Sequence, residues 1–296
     1  KAEGRRTFQF FDPEMQAALD QRSSMEQGLR LAIDDKQLIP YFQPQTDSFG
    51  KILGAEILLR WHVAGRGFVP PSEFIPIAEE AGLIDEIGQW VIASACEQIR
   101  LWSKHPDTSH LRLSVNVSAR QFQHKDFVVS VERILKMTGA NPALLVFELT
   151  ESLVLKDVDS AIHKMQTLKN LGVAFSMDDF GTGYSSLAYL TRLPLDELKI
   201  DKSFVSRLPG SRNDEVIAQT VISMAKSLGL TVLAEGVETQ EQRDALQSYG
   251  CHAYQGYLFC RPLPLEAFLA TLAAPPLQTA HAQELHAFTR PDIQPV

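Results

Sequence analysis

Redox and metal-binding motifs are scarce in this 296-residue sequence. Its three cysteines, Cys96, Cys251 and Cys260, show no C-x-x-C spacing, and none of the eight histidines sits in an H-E-x-x-H pattern. A disulfide framework and a zinc ribbon are not expected. The cysteines read as core or surface residues of a reducing compartment, which places the chain in the cytoplasm. There is no run of about 18 or more apolar residues, so no segment reads as a membrane span. No signal peptide is visible, and the first residue is Lys1 rather than Met, so the chain reads as part of something longer. Nor is there a Lys/Arg-rich block, and the formal net charge is −8. That balance argues against a DNA or RNA polymer held by broad phosphate neutralisation, but it leaves room for a small anion held by a few local cations.

What is present is an alternation of apolar, β-rich runs with helical patterns from about Leu38 onward. The strand candidates are "LIPYFQPQ", "ILGAEILLRW", "LRLSVNVS", "LLVFELTES", "VAFSMDDF", "ELKIDKSFV", "TVLAEGVET" and "AYQGYLFCRP". Between them, "DVDSAIHKMQTLKNLG" places Val158, Ile162, Met165, Leu168 and Leu171 on one helical face and ends at Gly172. "NDEVIAQTVISMAKSLG" repeats the device and ends at Gly229. Eight strands with intervening helices predict an α/β fold, a (β/α)8 TIM-type barrel, with a doubly wound open sheet as the alternative. The first two strands are joined only by "TDSFGK", which is hairpin length and too short for a helical crossover. The barrel is therefore expected to be modified, its first strand antiparallel to the rest. "FFDPEMQAALDQRSSMEQGLRLAI" reads as a helix leading in, with Pro13 near its first turn. The Ala-, Pro- and Gln-rich end reads as a tail.

Strands of a parallel barrel are covered on both faces and normally read as near-continuous apolar runs. Here several carry polar residues at period two. Ser114, Asn116 and Ser118 alternate with Leu113, Val115 and Val117; Glu56 and Arg60 share a face; Glu148, Lys199, Glu235 and Gln255 interrupt apolar runs. Asp178 and Asp179 are adjacent, so they converge only where the strand has ended and the backbone turns; Gly181 and Gly183 permit that turn. Any one of these is an ordinary salt-bridged strand end. Together, Glu56, Glu148, Asp178, Asp179, Glu235 and Asn116 open at the end of the barrel where active sites lie. An all-oxygen donor set without histidine or thiolate suits Mg²⁺ or Mn²⁺. Two such ions about 3.5–4 Å apart are a standard device for in-line attack on a phosphodiester.

The ordered series "YFQPQ", "AEILLRW", "SVNVSARQF", "FELTES", "MDDFGTGYSSLAYL", "LKIDKSFV", "AEGVET" and "QGYLFCRPLP" resembles the EAL domain family of cyclic di-GMP-specific phosphodiesterases. Ile57 stands where the family's signature has alanine. The resemblance implies hydrolysis of cyclic di-GMP to linear 5′-pGpG at a two-metal site. Glu56, Asn116, Glu148 and Asp178 would hold one ion, and Asp178 and Asp179 with help from Glu235 the other. Lys199 would position or deprotonate the attacking water, since a lysine near two divalent ions has reason to have a lowered pKa. Arg60 would pair with a phosphate oxygen, with Gln43 and Gln255 as further pocket residues. Ca²⁺, which prefers longer bonds and more ligands, is expected to inhibit. The loop Phe180, Gly181, Thr182, Gly183, Tyr184, Ser185 and Ser186 is expected to couple the site to a homodimer interface. Residues 1–28 resemble the end of a GGDEF domain and its helical connector, residues 29–272 the EAL barrel, and 273–296 a tail. A sensory domain would lie further upstream, where the full-length protein would carry any membrane anchor. A receptor that binds cyclic di-GMP without cutting it is the alternative function; a metal-dependent lyase on a similar barrel explains the fold but not the full motif series.

Overall fold

The computed structural model describes residues 13–181 and 187–273. Among these, ten strands follow in chain order: β1 (Leu38–Asp47), β2 (Ile52–Val63), β3 (Gly67–Val69), β4 (Arg112–Asn116), β5 (Leu145–Thr150), β6 (Ala174–Phe180), β7 (Glu197–Ile200), β8 (Thr231–Ala234), β9 (Ala253–Tyr254) and β10 (Leu263–Pro264). From β2 through β4, β5, β6, β7 and β8 to β9 every neighbouring pair is parallel. β1 closes the ring and is antiparallel to both β2 and β9. This is the modified barrel expected from the short first connection. β3 folds back on β2, and β10 pairs with β1 on the same edge as β9.

Local chemistry explains the reversal. In the β1–β2 turn, Asp47 Oδ1 accepts from the backbone N–H groups of Phe49 (2.8 Å) and Lys51 (3.0 Å). An Asx-type turn of this kind reverses the chain in four residues and leaves no room for a crossover helix. The two helices singled out by their periodicity span Val158–Asn170 and Arg212–Ser227. Both end as expected, with Gly172 (φ +105°) and Gly229 (φ +73°) in the left-handed region that suits glycine. A lead-in helix, Pro13–Ala32, begins at the proline and buries Met25, Leu29 and Ala32.

Two strands are shorter than their apolar runs. β7 stops at Ile200 because Asp201 caps a short helix, Lys202–Val205, by accepting from Ser203 N (3.0 Å). β9 keeps only Ala253 and Tyr254, since the backbone beyond it bonds to the loop after β8 instead. The helix-facing side of the barrel wall is apolar: Ile57, Val115, Phe147, Phe175 and Leu198 are all buried in one core with the helices. Each such side chain contributes about 1.5–3 kcal/mol through removal from water. Among the described residues, no helix is long and apolar enough to cross a membrane.

Candidate active site

The inward faces of the same strands carry the polar residues. In-register pairing puts Gln43 opposite Glu56, Glu56 beside Ser114, Asn116 beside Glu148, and Glu148 beside Ser176. Each lands on the interior because side chains alternate and neighbouring strands share that phase. At the centre is Lys199, fully buried (0% exposed). Its Nζ lies 2.5 Å from Glu235 Oε1, 2.8 Å from Glu148 Oε2, 3.7 Å from Asp178 Oδ1 and 3.9 Å from Glu56 Oε2. Amides tie the remaining oxygens. Asn116 Nδ2 donates to Glu56 Oε1 (2.6 Å), and Gln255 Nε2 donates to Glu56 Oε2 (2.5 Å) and Gln43 Oε1 (3.1 Å). Gln45 Nε2 donates to Gln255 Oε1 (3.1 Å), while Gln43 Nε2 reaches the Cys260 carbonyl (3.3 Å).

The adjacent aspartates converge by a different route from the expected one. β6 runs through both of them to Phe180 and has not ended at Asp178. Its pairing with β7 slips between Met177 and Phe180, and Asp179 takes φ +55°, a left-handed conformation uncommon for a residue with a Cβ. The bulge breaks the two-residue alternation, so neighbouring carboxylates need not point to opposite faces. Asp179 N donates to Asp178 Oδ1 (2.9 Å). Beyond them, Phe180 is buried beside Ile200 and Gly181 has φ +95°. Thr182, Gly183, Tyr184, Ser185 and Ser186 lie outside the described residues.

Charge dominates the site. Four carboxylates surround one ammonium, leaving an excess of negative charge in a poorly solvated space. Burial pushes the Glu148 carboxyl well above its usual range, with Glu56, Asp178 and Glu235 adding and Lys199 opposing. Burial likewise raises Glu235 to about 8, against the pull of Lys199, and raises Asp179, helped by Asp178 and Asp201. For Lys199 burial acts downward, but Glu148, Glu235, Glu56 and Asp178 together prevail and hold it well above 10.5. With no cation among the carboxylates, the lysine is an ammonium; the lowered pKa expected beside two divalent ions concerns the metal-loaded site. Burial lowers Arg60, which Tyr257, Tyr41 and Glu56 partly offset; its guanidinium carbon is 5.6 Å from the Tyr41 ring centroid.

Among the described residues, no three His, Cys, Asp or Glu side chains stand in a ready-made metal shell, and Lys199 sits among the carboxylates. Even so, the donors fit hard divalent cations. Glu148 Oε1 is buried without a hydrogen-bond donor, while Oε2 faces Lys199 Nζ at 2.8 Å. A buried carboxylate so placed calls for a proton or a cation, and the surrounding donors are all oxygens.

Sequence reasoning missed Gln45, which extends the amide ladder. Its signal was the two-residue spacing from Gln43 in "QPQ". It also missed a half-buried contact further along the strands, Ser176 Oγ donating to Glu197 Oε1 (2.9 Å). Glu197 reads as an exposed strand start and gave no such signal.

The EAL domain family profile matches residues 26–262. The chain is 40% identical over 276 residues to the bifunctional diguanylate cyclase/cyclic di-GMP phosphodiesterase MucR of Pseudomonas aeruginosa, covering 92% of this chain and 40% of that protein. It is 42% identical over 287 residues to the cyclic di-GMP phosphodiesterase NbdA of the same organism, covering 94% of this chain and 36% of the other. The chain thus spans well under half the length of these relatives. Among solved structures, the PaMucR phosphodiesterase in complex with c-di-GMP superposes with a TM-score of 0.80 at 40% identity, covering 83% of this chain and 99% of that one. An EAL domain protein from Listeria monocytogenes gives 0.75 at 30% identity over 85% and 97%. Barrel topology, motif order and these likenesses agree, and the chain belongs to the EAL domain family.

Proposed function

We propose that this chain hydrolyses cyclic di-GMP to linear 5′-pGpG with the help of two Mg²⁺ or Mn²⁺ ions. The observation that carries the proposal is the fully buried Lys199 among Glu56, Glu148, Asp178 and Glu235, with Glu148 Oε1 buried and without a hydrogen-bond donor. Relatives named as cyclic di-GMP phosphodiesterases, and a related structure holding c-di-GMP, support the substrate.

Glu56, Asn116, Glu148, Asp178, Asp179 and Glu235 would hold the ions. When bound, such a pair activates water and offsets the charge that develops on the attacking and leaving oxygens. Lys199, buried among these carboxylates, would position or deprotonate the attacking water. Asn116 and Gln255 pin the Glu56 oxygens in one orientation, which fixes the geometry before substrate arrives. Arg60, on the face of β2 that carries Glu56, offers a cation for a phosphate oxygen. The proposal further includes a homodimer, an upstream GGDEF-like domain in the full-length protein, and action in the cytoplasm.

The test is incubation with cyclic di-GMP in Mg²⁺, Mn²⁺, Ca²⁺ or excess chelator, with products identified by mass. Linear pGpG in Mg²⁺ and Mn²⁺, with inhibition by Ca²⁺ and none formed in chelator, is expected. Equal turnover in chelator would overturn the two-metal reading. Binding without product in any metal would make the chain a receptor.

A further inference from the structure

The floor of the site is acidic, and the proposed substrate is an anion with two purine bases. Something at the mouth must attract it and hold the bases. Among the described residues, the segment after β9 shows the chemistry for both.

The segment after β9 is clamped to the loop after β8: Val237 N donates to Gln255 O (3.1 Å) and Leu258 N to Val237 O (2.9 Å). Gly256 allows this approach, since a Cβ there would come 2.1 Å from the Val237 carbonyl oxygen. The clamp holds Tyr257 two residues from Gln255, with 39% of its surface exposed. Two cations lie over its ring. The Arg261 guanidinium carbon lies 4.2 Å from the Tyr257 ring centroid, and Arg261 is itself exposed. Lys202 Nζ lies 5.7 Å from the same centroid, with its stem packed on Gly236, next to Glu235. Arg60 is close enough to feel Tyr257 electrostatically. Lys202 is engaged by Glu238 (2.5 Å), so its charge is partly met.

We propose that Tyr257 and Arg261 form the base-binding wall of this site: a purine of the cyclic dinucleotide stacks on the Arg261 guanidinium plane, which the Tyr257 ring supports from behind. This rests on the cyclic dinucleotide reading given above. An aromatic ring and a guanidinium are the two planar surfaces on which proteins stack unpaired bases. The Arg261 guanidinium already lies over the Tyr257 ring, and Arg261 is exposed. Lys202 and Arg60 flank it and counter the repulsion between the acidic floor and the phosphates. Substrate binding is thus divided between an acidic floor that takes cations and a planar, cationic wall that takes bases.

Stacking and simple charge attraction make different predictions. Tyr257→Ala and Arg261→Ala should each raise KM by about 5- to 150-fold, the range that base stacking carries, with a much smaller change in kcat. Tyr257→Phe should stay near wild type. Arg261→Lys should behave like Arg261→Ala, because an ammonium keeps the charge but has no plane. Direct binding is read separately with Tyr257→Trp, whose added indole emission should be quenched on titration with cyclic di-GMP relative to the wild-type chain. Unchanged KM in Tyr257→Ala, full rescue by Arg261→Lys, or no added quenching in Tyr257→Trp would each overturn the stack while leaving the phosphodiesterase reading intact. Failure of the wild-type chain to bind cyclic di-GMP at all would overturn both.

Discussion

On β5 and β7 the two faces of the barrel wall are equally buried and oppositely constituted. On β5, Phe147 and Glu148 are neighbours with 0% and 1% exposure; on β7, Leu198 and Lys199 are both at 0%. The helix-facing residue of each pair lies in an apolar core, where burial is favourable. Its inward neighbour is a charge removed from water, which is costly unless compensated. One strand therefore stabilises the fold with one face and spends part of that stability on the other. Burial alone does not distinguish a core residue from a site residue. Its chemical consequence does.

The comparison breaks most visibly in activity. Glu56→Ala and Asp178→Ala should each lower turnover by about a thousandfold or more, equivalent to ~4 kcal/mol of barrel-mouth stabilisation of the transition state. Thermal unfolding should change little or rise in Asp178→Ala, because an excess carboxylate has been removed, and fall in Glu56→Ala, which leaves Asn116 and Gln255 without their acceptor. Initial-rate measurements beside melting curves check both halves.

Lys199→Ala leaves four carboxylates without their cation, so metal-free stability should fall by about 3–5 kcal/mol, and Mg²⁺ should restore much of it. Turnover should be nearly abolished while metal-supported binding of cyclic di-GMP persists. Denaturant curves with and without Mg²⁺, together with a binding titration, test this. Loss of binding with kcat retained would make the lysine a substrate anchor. On the helix-facing side, Phe147→Ala should also cost about 3–5 kcal/mol by leaving a cavity, but Mg²⁺ should not repair it, and kcat per folded molecule should remain near wild type.

A smaller effect concerns pH. Glu235 is raised from 4.5 to about 8, so the folded state holds its proton more tightly than the unfolded chain does. Its contribution to metal-free stability is full below 4.5 and is lost as pH rises through about 8. Melting curves in chelator should fall across that window, and Glu235→Gln should flatten the fall. Smallest of all, breaking the exposed Lys136–Glu132 pair by Lys136→Ala should change stability by only about 0.3–0.5 kcal/mol. That variant serves as the control for charge removal away from the barrel interior.

Much of this was legible in the sequence. Period-two polar residues in "SVNVS" and "AEILLR" announced an occupied barrel interior, because only an interior that is more than packing tolerates them. The length of "TDSFGK" forced the antiparallel β1. The sequence was silent where a backbone detail decides the outcome. The bulge in β6 is not written in "MDDF", which reads equally well as a strand end. The state of Lys199 depends on how many carboxylates close around it, a sum over four strands far apart in the chain. Tyr257 escaped notice because an exposed aromatic acquires meaning only from the cations that the fold brings beside it.

The short β9 has a consequence for how the ring is sealed. Two residues give few ladder bonds at the seam where the last parallel strand meets β1. Much of the stitching across that seam is instead made by the side chain of Gln255, which links Gln45, Gln43 and Glu56. The fastening of the barrel and the setting of its carboxylates are therefore one event, and a chain with an open seam has no assembled site to misuse.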